Sequence, residues 1–283
     1  YLYICSFLMG IMLMVPVRSM AQNAGADGES EIVAQSAGGV GNDGISVRDE
    51  GLTILSAAAA DSLYIQGDYL SAIAIYEQIL NNVGVSASIY MNLGNSYFKL
   101  DEIAKAILCY ERAYLLDPSD DDVRFNLELA RTKTVDKVSI KNRLFVAVFF
   151  EKMANLMNVN QWTVMTVVLF ILAVALGCMF VLSRKVSLKK ISFYLGLALL
   201  AVSIVSFVFA NSQKNRIENR NTAIIMEPSV TVKSTPSKSG TDLFIIHEGH
   251  KVNILDSSMK EWVQIELEDG NSGWIQYKSI EII

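Results

Sequence analysis

Two histidines, three cysteines and one glycine-rich hexapeptide are the residues whose types suggest a reaction. His247, Glu248 and His250 bring two imidazoles and a carboxylate together, enough ligands for a divalent metal. They fall in a Gly249 turn and not in the HExxH register of a helix, so the reading is a surface turn without metal. Gly39-Val40-Gly41-Asn42-Asp43-Gly44 spells GxGxxG. That motif cradles a pyrophosphate only where a buried strand turns directly into a helix, and neither element is readable around it. Cys5, Cys109 and Cys178 are isolated, none at CxxC spacing, so neither a zinc site nor a disulfide framework is encoded. No nucleotide loop, Ser/His/Asp set or pair of acids in a cleft pattern can be pointed to. The expectation is a non-enzyme with no cofactor.

What remains is recognition chemistry carried by amides and aromatic rings, and the elements that position them have a period. Shifting the chain by 34 residues lays Gly67 to Tyr76 over Asp101 to Tyr110. The second copy carries Leu93, Gly94, Tyr97, Ala106, Tyr110, Ala113 and Pro118 in order. This period and pattern resemble tetratricopeptide repeats. The first copy, about Thr53 to Ser86, keeps Ala59, Ala60, Leu63, Ala72 and Tyr76 but has Ile79 and Gly84 at the later positions. Small residues at Gly94 and Ala106 let helices A and B approach, and Tyr97 and Tyr110 fill the space between them. Asp121 to Arg131 reads as a further A or capping helix over the end of the array.

In such modules A-helix side chains line a concave, protein-binding groove. The resemblance makes Ser88, Met91, Asn92, Asn95, Phe98, Lys99 and Asn126 the groove candidates. Asn126 repeats Asn92 one period on, and amides of this kind can hold the backbone of an extended peptide. The alternative is a solvated surface. Residues 51–131 hold 11 acids and 5 bases, so a basic or neutral partner is favoured.

The chain has 283 residues, 52% hydrophobic and 19% charged, with net charge -5 and mean hydropathy +0.33. That is too apolar for a disordered chain and lacks the cationic footprint of a nucleic-acid binder. The apolar excess is concentrated. Residues 162–182 and 191–210 carry no charge, and the first run, at 1.5 Å per residue, covers about 31 Å, the thickness of a bilayer core. Two membrane helices are expected, joined by a loop at 183–190. Arg184, Lys185, Lys189 and Lys190 in that loop are assigned to the cytoplasm by the positive-inside rule. Residues 2–17 are apolar and precede Ser19-Met20-Ala21, so residues 1–21 read as a signal peptide. Seven glycines in 22–51 mark a flexible linker. An exported start and two spans place both soluble parts outside the cytoplasmic membrane.

Between repeats and membrane, the juxtamembrane segment 132–161 carries Lys133, Lys137, Lys141 and Arg143 ahead of the apolar run 144–150, which is too short to span. Phe145, Phe149, Met153 and Leu156 share one helical face. Two readings stay open: a helix lying on the lipid surface, or a cap packed on the last repeat.

After a linker at 211–222 the period changes to two. Val230/Val232, Leu243/Ile245, Val252/Ile254 and Val263/Ile265/Leu267 alternate with polar residues, with turns at Pro236, Gly249, Ser257 and Gly270. The order of Val232-Lys233-Ser234, Trp262, Asp269-Gly270 and Gly273-Trp274-Ile275 resembles bacterial SH3-like domains over 223–283. Trp262, Trp274 and Tyr277 are candidates for an aromatic groove taking a peptide or cell-wall stem peptide. The core reading is favoured, because so small a barrel needs large side chains.

The fold class is therefore a multidomain membrane protein: an all-α repeat at 52–131, a two-helix transmembrane hairpin and a small all-β SH3-like barrel. The order of these parts resembles the BatE family, the repeat proteins of the bacterial aerotolerance (Bat) operon. That resemblance implies partners among Bat-type membrane proteins and a MoxR-linked system, besides membrane lipid. Two roles follow: a membrane-anchored scaffold binding proteins through the repeat groove, or a peptidoglycan-binding sensor that recruits a cell-wall enzyme.

Overall fold

The computed structural model describes residues 56–136 and 145–283. The expected signal peptide, the glycine-rich linker with its GxGxxG letters, Cys5, Lys137, Lys141 and Arg143 lie outside the described residues.

Five helices form the repeat array: α1 (Ala57–Gln66), α2 (Tyr69–Asn82), α3 (Ala87–Lys99), α4 (Ile103–Leu116) and α5 (Asp121–Thr132). Their starts are written locally. Ser56, Asp68 and Asp120 each turn a side-chain oxygen onto an otherwise orphaned backbone N–H of the first turn. Gly67, at φ 85°, ends α1 in the left-handed conformation that a side chain disfavours. Gly94 serves close approach instead: a Cβ there would stand 2.7 Å from Tyr110 Cε1. Ala60, Ala72, Tyr76, Leu93 and Cys109 form the core of the first half.

A short helix, α6 (Phe145–Ala154), leads to two long apolar ones, α7 (Val159–Leu182) and α8 (Val186–Glu218). Both are long and apolar enough to cross a membrane, and their apolar windows are mostly exposed rather than buried in protein. The boundaries differ from those read off hydropathy. Only Ser183 to Lys185 separates the helices, so most of the 183–190 loop is the first turn of α8. Likewise 211–218, read as linker, continues α8. The reason is common to both: charge ends a hydropathy run, but Lys189, Lys190, Gln213, Lys214 and Arg216 are good helix formers, and Lys214 pairs with Glu218 one turn on. At the other end α7 starts three residues before the apolar run read from residue 162, at a capping box of Asn158 and Gln161.

The C-terminal domain is one seven-stranded antiparallel sheet: β1 (Thr222–Ile225), β2 (Ser229–Lys233), β3 (Asp242–His247), β4 (Lys251–Asp256), β5 (Trp262–Glu266), β6 (Ser272–Gln276) and β7 (Ile280–Ile282), in the order β3-β2-β6-β5-β4-β1-β7. Strands from both edges, through Ile246 and Ile280, join the same cluster as Val232, Val263 and Ile275. The sheet therefore curls around a single core.

This domain docks on the repeats. Ile224 and Ile283 are buried in one cluster with Ala106, Ile107, Leu127 and Ala130 of α4 and α5. The turn before β4, expected at the surface, presses Gly249 toward Ile107 and Thr134.

Candidate functional site

The groove candidates are held in a hydrogen-bond pattern that repeats with the chain. In the first rung Tyr76 Oη donates to Asp61 Oδ1, and Asn92 Nδ2 donates to the same oxygen at 3.1 Å. In the second, Tyr110 Oη donates to Asn95 Oδ1 at 2.8 Å and Asn126 Nδ2 donates to it at 3.1 Å. Every member of the second rung lies 34 residues after its counterpart. Each rung ties an A helix to its own B helix and to the next A helix, so Asn92, Asn95 and Asn126 are inter-helix staples. Half-buried amides are tolerated in these helices because they are paired. Burial, with Asp61 alongside, raises the Tyr76 phenol well above its ordinary range; burial does the same for Tyr110.

Of the other candidates, Ser88 and Lys99 are exposed on α3. Met91 and Phe98 are half-buried against the α4–α5 cluster, and Lys133 Nζ lies 4.5 Å from the Phe98 ring centroid. Two residues that sequence reasoning missed stand open on the same face of α5. Phe125 is 64% exposed and Leu129 42%. The signal for both was present, since they repeat Met91 and Asn95 at the array period.

On the opposite flank, Glu111 of α4 is 2% exposed and accepts from two cations: Arg131 of α5 and, at 2.7 Å, Lys251 of β4. Arg112 donates to Glu281 at 3.0 Å and to the Ile282 carbonyl at 2.7 Å. Asp136 accepts from the His247 backbone N–H at 2.7 Å and lies 2.9 Å from His247 Nδ1, with His250 Nδ1 at 3.9 Å. Burial opposes ionisation of Asp136, but the bonds from His247 hold its carboxyl below the usual range. The histidine pair thus serves the seam between modules. Among the described residues no group of His, Cys, Asp and Glu is arranged to hold a metal.

Cys109 lies beside a cleft of about 490 Å³ between α2, α3 and α4, where burial pushes its thiol up to about 12, unsuited to nucleophilic work at neutral pH. A second cleft, of about 650 Å³, opens where α4, α6, the end of α8 and β4 meet.

In the sheet, alternation sets Trp262 and Trp274 on the face away from Val263, Ile265 and Ile275. Trp262 is buried there, Trp274 is half-buried opposite Lys233, and Tyr277 is 39% exposed. None of the three belongs to the sheet's core cluster, which aliphatic residues fill.

The comparisons with known proteins agree with this division. Residues 87–120 match the tetratricopeptide repeat family model. Residues 228–281 match the bacterial SH3 domain. No curated protein matches the chain. The first match covers α3, α4 and the turn at Pro118, the copy with the full pattern. Repeats of this type suggest protein–protein interaction and bacterial SH3 domains suggest cell-wall binding, and both are typically non-catalytic.

Proposed function

We propose that the chain is a non-enzymatic, membrane-anchored scaffold that takes a partner protein along the A-helix face of its repeats. The observation that carries this reading is the pair Phe125 and Leu129, apolar and exposed on α5 beside the stapled amides, while the SH3-like domain covers the other flank. Exposed apolar side chains among fixed amides suit a helical or extended segment of another protein. The hairpin supports the anchoring, because α7 and α8 return the chain to the end where it entered and leave both modules on one side. The basic turn at Arg184 and Lys185 favours the outer face of the cytoplasmic membrane for those modules. The order of repeats, hairpin and SH3-like domain resembles the BatE family, and so favours Bat-type membrane proteins and a MoxR-linked stress system as partners.

The test is co-purification of Bat-type membrane proteins with the full chain in mild detergent. Phe125→Ala combined with Leu129→Ala is expected to lose them; unchanged recovery would remove this face from the site. A second reading rests on Trp274 and Tyr277 standing outside the core: the SH3-like domain binds peptidoglycan and the repeats recruit a cell-wall enzyme. Sedimentation of the detergent-solubilised chain with purified cell wall separates the two. Binding lost on Trp274→Ala would favour the second.

A further inference from the structure

Helix α6 is apolar on a face that none of the described residues covers. Phe145 is 82% exposed, and Val146, Phe149 and Phe150 are also open. At 3.6 residues per turn, Phe145, Val146 and Phe149 fall opposite Glu151, while Met153, nearer the C-terminal end, packs against the Trp162 cluster. Glu151 is the residue that faces Arg216 of α8, at 3.8 Å. The helix thus turns Glu151 to the protein and leaves its phenylalanine side without cover among the described residues, with Lys152 exposed at the edge of that side. A cap on the last repeat would have buried those rings; instead α6 reaches the repeats through its C-terminal end, where Asn155 Nδ2 donates to Tyr114 Oη at 2.9 Å.

That end is fastened at a defined level. The Ala154 carbonyl accepts from Trp162 Nε1 at 2.8 Å and from Gln213 Nε2 at 2.5 Å. Trp162 opens the apolar run of α7 and Ala210 closes that of α8. Both pack with Ala154 and Phe209 in one cluster, the two rings 5.0 Å apart. Ala154 therefore stands at the rim where the hairpin's apolar surface ends. Phe149 and Phe150 are only five and four residues earlier, so at 1.5 Å per residue they lie within about 8 Å of that rim whichever way α6 points.

We infer that α6 lies in the lipid headgroup boundary and sinks its phenylalanine face into the bilayer, as a surface anchor separate from the two spanning helices. The occupant is lipid because the exposed face adjoins the apolar surface of the hairpin at its rim, and amphipathic helices of this kind bury such faces in the boundary layer. Through Asn155 and Tyr114 the anchor also fixes the height of the repeat array above the membrane. The inference rests on the reading that α7 and α8 cross a bilayer.

The experiment uses the full chain, with Cys5→Ser, in vesicles of phosphatidylcholine and phosphatidylglycerol. Cys109 is buried, so a thiol-reactive environment-sensitive dye labels either the exposed Cys178 of α7 or, in a Cys178→Ser background, Phe149→Cys. Doxyl quenchers are placed near the top of the acyl chains or near their ends. The dye at position 149 is expected to emit blue-shifted and to be quenched roughly twofold more by the shallow probe than by the deep one, as burial of about 5–10 Å demands. With Cys178 quenched, a dye at 149 that emits as in water, or that is blue-shifted but unquenched by either probe, overturns this inference and leaves the spanning hairpin standing. Loss of quenching at both positions overturns the inference and the hairpin reading together.

Discussion

The two copies of the repeat build the same rung from different parts. In the first, a carboxylate, Asp61, collects the hydrogen bonds of Tyr76 and Asn92; in the second an amide, Asn95, does so for Tyr110 and Asn126. Ala60 occupies the close-packed position of the first copy and Gly94 that of the second. The B-helix acids diverge further. Glu77 takes the Tyr97 hydroxyl at the surface, whereas Glu111, one period on, is buried between Arg131 and Lys251. The first copy resembles an ordinary exposed repeat, and the second is the one an additional domain has been fitted against. Equal positions in a periodic chain acquire unequal energetic weight from what comes to cover them.

Glu111→Ala should show that inequality most strongly. Removing one member of a buried ion cluster costs several kcal/mol; about 3 kcal/mol is expected here, at the low end because Arg131 and Lys251 reach solvent. Glu77→Ala, losing one exposed bond, should cost less than about 1 kcal/mol. Helical circular dichroism melts in detergent measure both, and equal losses would break the comparison. Gly94→Ala follows. Its Cβ would meet the Tyr110 ring at 2.7 Å, so about 2 kcal/mol of overpacking is expected. Ala60 in the first copy already carries that Cβ.

The tyrosines sharpen the contrast between the two acceptors. Tyr76→Phe breaks a bond to a carboxylate and should cost about 2 kcal/mol, against about 1 kcal/mol for Tyr110→Phe, whose partner is a neutral amide. The smallest effect is at the seam. Asp136 has a folded pKa below its unfolded value, so its contribution is present above the unfolded value and fades as pH falls through the folded one. The His247 amide, which donates to Asp136, is expected to keep its hydrogen-exchange protection down to about pH 4 and lose it below. Asp136→Asn should flatten that step.

The repeat was legible because its signal is local: Leu93, Gly94, Tyr97 and Ala106 stand at set distances, and each position sees neighbours within one period. The long apolar helices were legible from run length alone, but their ends were not, since hydropathy reports what lipid accepts and the backbone ladder ends elsewhere. The seam between modules was invisible. Glu111 and Lys251 lie 140 residues apart, and nothing in either neighbourhood marks them as partners. The histidine turn misled for the same reason, since its partner, Asp136, precedes the whole hairpin. Asn92 and Asn126 were found as a pair, yet their duty as staples needed Asp61 and Asn95, whose side chains face them only once the helices stack. Phe125 and Leu129 were within reach of the period and were missed because, of the α3 candidates, only Asn92 was carried forward to its counterpart on the last helix, Asn126.

That separation of 140 residues also orders the protein's birth. When α4 has left the ribosome, the lysine that completes the pairing of Glu111 has not been synthesised, and α5 and both long apolar helices must be made before it arrives. Until then the newborn array carries an acid paired only by Arg131 and a bare aliphatic flank around Ile107. Closure of the molecule is thus a late event, and a chain cut short of β4 would be left with an open, sticky side for quality control to recognise.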